Sequence, residues 1–215
     1  PHRTNFYHIF WFSEGNPVHL IDFNPVQIRP NSLLFLNKET VHRFDKIGGF
    51  DGKVIIFTDN FFCKTESDAS YLRNHILFND LFSVSLIQLS QKENPFTQLI
   101  SMMETECSAG SDRYHSDILR NYLHTLLLFA EIERRKQDFV EIKKSVDLDY
   151  TLLFKDLLDL YFKSEKQVSD YAQRMSVTQK RLNLATSKVL NKSPKEMIDD
   201  RIILESKRLL SHSTD

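Results

Sequence analysis

The stretch from Gln167 to Leu210 constrains this chain more than any other, because its apolar period changes phase twice within some forty residues. Val168, Tyr171, Ala172 and Met175 follow the i, i+3, i+4, i+7 spacing of one buried helical face. Ser176-Val177 breaks that pattern. Thr178 then offers a hydroxyl to the free N–H groups of a second helix, whose inner face is Leu182, Ala185, Thr186 and Val189. Two short helices, a tight turn and an N-cap predict a helix-turn-helix. Ala172 is small enough for close helix approach, and Val177 fills the angle between the helices. Gln179, Lys180, Asn183 and Ser187 are left on the outer face, where amide and ammonium groups suit base edges and phosphates in a major groove. The same pattern also fits an ordinary helical hairpin with a solvated polar face.

The residues that follow favour the first reading. They are Asn191-Lys192-Ser193-Pro194-Lys195-Glu196, then Ile198, Arg201-Ile202, Glu205 and Lys207-Arg208-Leu209-Leu210. Taken in order with the two helices, they resemble the first half of the DNA-binding module of AraC/XylS-family transcription regulators. Four positions depart from the family pattern. Asn191 stands where Gly is usual, which left-handed backbone geometry permits. Leu184 and Thr186 replace a polar reader and a core aromatic, and Ser206 replaces a small Ala. The resemblance implies that Thr178 caps the recognition helix and that Gln179, Lys180 and Asn183 face bases. It also implies that Ser187, Lys188 and Lys192 meet phosphates, with Arg181 flanking the readers in either role. Family members carry a second helix-turn-helix after the linker helix. This sequence ends at Asp215, where that half would begin, so a longer natural protein is expected.

Charge is distributed accordingly. The formal net charge of -1 averages unlike parts: residues 163–215 hold 11 basic and 7 acidic side chains, residues 101–162 hold 8 and 12. A cationic module on a near-neutral chain is the electrostatic footprint of a nucleic-acid reader. Hydrophobic content of 41% and charged content of 27% are those of a globular protein with a real core. Cys63 and Cys107 sit in no CxxC spacing, which fits a reducing cytoplasm. No stretch approaches a membrane span.

The first 92 residues read as β-rich. Phe6–Phe12 is an aromatic and β-branched run ended by the turn cluster Ser13-Glu14-Gly15-Asn16-Pro17. Val18–Phe23, Val26–Ile28, Leu33–Leu36, Lys53–Thr58 and Ser83–Leu89 follow as short strands. Such spacing predicts a small jelly roll. The set Pro1-His2-Arg3, Phe6-Tyr7, Gly15, Ile21-Asp22-Phe23, Pro30-Asn31-Ser32-Leu33 and Val41-His42-Arg43-Phe44 is similar to the cupin-like sensor of AraC-type regulators. Pro1-His2 matches the entry to an early strand, so native residues are expected upstream. The resemblance implies a small effector inside the barrel, with Trp11, His19, Phe35 and His42 as candidate lining residues.

A metal-dependent cupin enzyme is the rival reading. Metal cupins bring several imidazoles and a carboxylate onto one ion, usually through a His-x-His pair. His42-Arg43-Phe44 lacks the second imidazole, and His2, His8, His19 and His42 are scattered, so no metal and no cofactor is expected. There is no Gly-x-Ser-x-Gly elbow, phosphate loop or dinucleotide fingerprint, and five glycines are few for a glycine-cradled cofactor. Cys63 lies beside Lys64 with no catalytic partner in view. A non-catalytic protein-interaction module is the third reading.

Pro95 opens a helix bearing Phe96, Leu99, Ile100 and Met103, ended by Cys107–Gly110. A longer helix over about 112–137 carries a wide apolar stripe from Ile118 to Ile132. One side suits the sensor, the other a second subunit, and the resemblance implies a homodimer. Residues 138–149 read as a charged linker, and Thr151–Phe162 as the first helix of the reader, with Leu153, Phe154, Leu157, Leu158, Tyr161 and Phe162 over its core. The chain is therefore expected to be α+β: a cupin-like effector domain over 1–92, a helical connector over 93–147 and an incomplete all-α helix-turn-helix module over 148–215. The implied protein is a cytoplasmic, ligand-responsive transcription regulator. Its expected partners are double-stranded DNA, a small-molecule effector, a second copy and RNA polymerase, with no membrane.

Overall fold

A computed structural model of the chain describes residues 5–38, 40–44, 49–78, 84–89, 95–110, 113–137 and 145–212. The Pro1-His2-Arg3 entry motif and residues 138–144 of the expected linker lie outside them. The chain divides into two compact units, residues 1–139 and 140–215.

In the first unit, β1 (Tyr7–Gly15), β4 (Ser32–Leu36), β6 (Phe50–Phe57) and β7 (Ser85–Gln88) form an antiparallel sheet in the order β6-β1-β4-β7. A second antiparallel sheet, in the order β3-β2-β5, is built from β2 (Val18–Ile21), β3 (Asn24–Gln27) and β5 (His42–Phe44). Gly15, at φ 87°, makes the turn out of β1, where an added Cβ would lie 2.3 Å from the Gly49 carbonyl oxygen.

The larger sheet is covered on both faces. Tyr7, Ile9, Leu33 and Phe35 pack with Phe96, Leu99 and Ile100 of α3 (Pro95–Ser108) and with Leu123, Leu126, Leu127 and Ala130 of α4 (His115–Lys136). Phe10, Phe12, Leu34 and Leu36 point the other way, into a separate cluster with Ile21 and Ile28. Burial on both sides explains why β1 and β4 read as continuous apolar runs rather than alternating ones. Two helices went unread in the sequence, α1 (Asp59–Phe62) and α2 (Glu66–Asn74). The latter opens on a Thr65/Asp68 capping box.

The second unit is all helical: α5 (Val146–Tyr161), α6 (Val168–Arg174), α7 (Gln179–Leu190) and α8 (Pro194–His212). Its core joins Phe154, Leu158, Phe162, Tyr171, Ala172, Met175, Leu182 and Ile198. Leu182 is fully buried, and truncating such a side chain to Ala costs about 2–5 kcal/mol. Two expectations need correction. Leu153 faces solvent at 44% exposure instead of closing this core. The last residues assigned to the linker are helical, because the Ser145 hydroxyl accepts from Leu148 N–H at 3.1 Å and Asp147 and Asp149 lie in the first turn, where negative charge is favoured.

Candidate functional site

The α6–α7 pair is a helix-turn-helix in geometry as well as in pattern. Ser176 adopts φ 54° between the helices, and Val177 packs onto the core from the turn. The Thr178 hydroxyl accepts from Arg181 N–H at 3.1 Å, so it caps α7. At the far end Asn191 sits at φ 53°, ψ 31°, and its N–H donates to the Ser187 carbonyl. This is the left-handed cap for which Asn is the best substitute for Gly. Leu182, Ala185 and Thr186 face inward as expected.

On the outer side Gln179, Lys180, Asn183 and Ser187 are exposed. Among the described residues their side chains make no hydrogen bond or ion pair. Gln179, Lys180 and Asn183 line a recess of about 310 Å³ with Val168, Ser193, Pro194 and Lys195. The remaining candidates are engaged. Arg181 Nη1 and Lys188 Nζ lie 2.6 and 2.8 Å from the Asp147 carboxylate of α5, and Lys192 Nζ lies 2.8 Å from Asp200. Arg181 also rests over the Tyr150 ring, 4.6 Å from its centroid. Asp147 was not foreseen, although a Ser-x-Asp helix start was readable at Ser145-Val146-Asp147.

Of the four residues expected to line an effector site, the structure brings two together. His19 and His42 face each other from paired strands, with Nε2 of the first 3.1 Å from Nδ1 of the second. His8 joins them, its ring 4.9 Å from His42 and stacked on Phe10, and Phe44 packs edge-on to His19 at 4.1 Å. Trp11 and Phe35 belong to the opposite face of the larger sheet, in the core shared with α3 and α4. Trp11 Nε1 is buried there with no hydrogen-bond partner among the described residues.

His8 and His19 are buried and His42 is half-buried. His19 is fully buried, and burial pushes its pKa down to about 3, with His42 and His8 adding to the shift. Burial also holds His8 below the usual histidine range. Among the described residues the Nδ1 atom of His19 has no hydrogen-bond partner, while a hydrogen bond to the Phe6 backbone partly offsets the lowering at His8. A neutral His19 with a spare nitrogen among Phe10, Phe12 and Phe44 can orient a polar group in apolar surroundings. Among the described residues no three His, Cys, Asp or Glu side chains are arranged to hold a metal ion, and no helix is long and apolar enough to cross a membrane.

Comparison with solved structures places the chain near the AraC-like transcriptional activator CuxR, with a TM-score of 0.42, 11% identity, and coverage of 95% of this chain and 68% of that one. ToxT from Vibrio cholerae aligns with a TM-score of 0.37 at 13% identity, covering 91% of this chain and 90% of that one. A second ToxT structure, bound to (E)-4-(8-methylnaphthalen-1-yl)but-3-enoic acid, aligns with a TM-score of 0.36 at 14% identity over the same shares. No curated protein matches. The family model described as the AraC-like ligand binding domain matches residues 1–128, more than half of the chain. The chain belongs to that family and is a regulator of the AraC type.

Proposed function

We propose that the protein is a ligand-responsive, DNA-binding transcription regulator and not an enzyme, acting in the cytoplasm. The observation that carries DNA binding is the outer face of α7, where Gln179, Lys180, Asn183 and Ser187 are exposed and, among the described residues, unengaged beside a capped helix start. Side chains that find no partner within the fold are available to base edges and phosphates at no internal cost. Residues 148–215 form the reader, residues 1–92 the effector sensor and residues 93–147 the connector. The effector site is the histidine-bearing interior of the sandwich, centred on His19 and His42.

The connector dimerises through α4. Leu128, Phe129 and Ile132 are 44%, 37% and 50% exposed on the side of α4 away from its buried Leu123, Leu126, Leu127 and Ala130. Apolar groups left in water at these spacings favour a helix-to-helix contact with a second copy. RNA polymerase is the further partner of such a regulator.

Titrating the chain with duplex DNA at two salt concentrations tests the reading. Phosphate-based binding weakens steeply with salt, and an absence of binding at low salt rejects it.

A further inference from the structure

Among the described residues of the second unit, Asp147 is the one acid that bridges two cations of α7. Its Oδ1 meets Arg181 Nη1 at 2.6 Å and its Oδ2 meets Lys188 Nζ at 2.8 Å. The two cations are seven residues apart, so they lie on the same flank of the helix two turns apart. They are held very differently. The Arg181 side chain is 30% exposed and is fixed by both Asp147 and the Tyr150 ring. Lys188 is 68% exposed and has Asp147 as its only ion-pair partner among the described residues. Asp200 and Asp199, by comparison, each hold a single lysine, Lys192 and Lys195, among the described residues.

We infer that Asp147 is a positioning residue that stands in for a DNA phosphate at Lys188, holding that ammonium until a backbone phosphate replaces the carboxylate. The inference rests on the DNA-binding reading above. The exchange is cheap for two reasons. The pair is open to water on its lysine side, with Lys188 68% and Asp147 14% exposed, so solvent screens it more than a buried pair. Asp147 also keeps Arg181 when Lys188 leaves, so no carboxylate is stranded. Arg181 accordingly stays part of the α5–α7 joint, and Lys188 alone crosses to the nucleic acid.

The test is a double-mutant cycle on the full chain: wild type, Asp147→Asn, Lys188→Gln and the double variant. Each is titrated with a mixed-sequence duplex at several salt concentrations, with thermal melts to confirm folding. Lys188→Gln is expected to lower the salt slope by about one unit. Asp147→Asn is expected to tighten binding about two- to five-fold, and that gain is expected to vanish in the Lys188→Gln background.

A gain that persists in the double variant would mean simple repulsion between Asp147 and DNA, and would overturn the inference. So would an unchanged salt slope in Lys188→Gln, a reading that stands even where Asp147→Asn fails to fold. If wild type binds DNA and the cycle shows no coupling, only this inference falls. If wild type binds no DNA, the regulator reading falls with it.

Discussion

His19 Nε2 lies 3.1 Å from His42 Nδ1 at the heart of the sandwich, a bridge in which one ring must donate and the other accept. At least one of the two is therefore neutral. Burial of His19 lowers its folded pKa to about 3, against an ordinary 6.5, so the unfolded chain binds the extra proton first as pH falls. The sign follows: the stabilising share of a neutral His19 is complete above pH 6.5 and is lost progressively down towards pH 3. From this group alone the loss reaches about 2 kcal/mol at pH 5. His75, also buried and lowered to about 4, adds in the same direction. Urea unfolding at pH 7.5, 6 and 5 measures this, and a flat profile would contradict a neutral, bridged pair.

The two ends of α7 make a second prediction. Thr178→Ala removes the hydroxyl that accepts from Arg181 N–H and is expected to cost about 1 kcal/mol, while Thr178→Ser keeps most of it. Asn191→Ala forces a Cβ into left-handed backbone at φ 53° and is expected to cost about 1–2 kcal/mol. Asn191→Gly removes that strain and is expected to be neutral or stabilising. Denaturant midpoints of the four variants decide the matter. A destabilised glycine variant would show that the Asn191 side chain contributes more than its backbone tolerance.

The helix-turn-helix was legible in the sequence because three independent signals agreed there. The periodicity of Val168–Met175, the Thr178 cap and the left-handed Asn191 each mark a boundary, and all three recur in the structure. Where signals conflicted, the reading failed. Asp147 and Asp149 looked like linker charge, and only their position after Ser145 reveals them as first-turn residues of α5. The effector candidates split for another reason. With β1 apolar on both faces, nothing in Phe6–Phe12 tells which side a residue takes. Only the pairing of Ile9 with Phe35 and of Phe10 with Leu34 separates Trp11 and Phe35 from His19 and His42. His8, which completes the imidazole group, had no local signal beyond its alternation with Phe10 and Phe12.

The exposed face of α4 yields a third prediction. Phe129→Glu and Ile132→Glu place carboxylates where the proposed dimer buries apolar surface; both positions are exposed, Phe129 meeting the core ring of Phe96 edge-on and Ile132 lying 50% in solvent. Sedimentation across a hundred-fold concentration range is expected to show wild type shifting between monomer and dimer, with both variants remaining monomeric. A wild type that is monomeric throughout would remove the helix-to-helix contact from the proposal.

A fourth prediction separates reading from anchoring on the reader. Asn183 is exposed on the outer face of α7 beside Gln179 and Lys180, so Asn183→Ala is expected to relax preference at one base position at a cost of about 1–3 kcal/mol. Lys192 lies past the end of α7, held by Asp200 in a pair whose side chains are 54% and 59% exposed. Water and salt weaken such a pair, so it competes poorly with a phosphate. Lys192→Ala is therefore expected to weaken every duplex alike and to reduce the salt slope by about one unit. Binding curves on a selected site and on its single-base variants, each at two salt concentrations, distinguish the two. Equal losses from both substitutions on every sequence would show that Asn183 does not read a base.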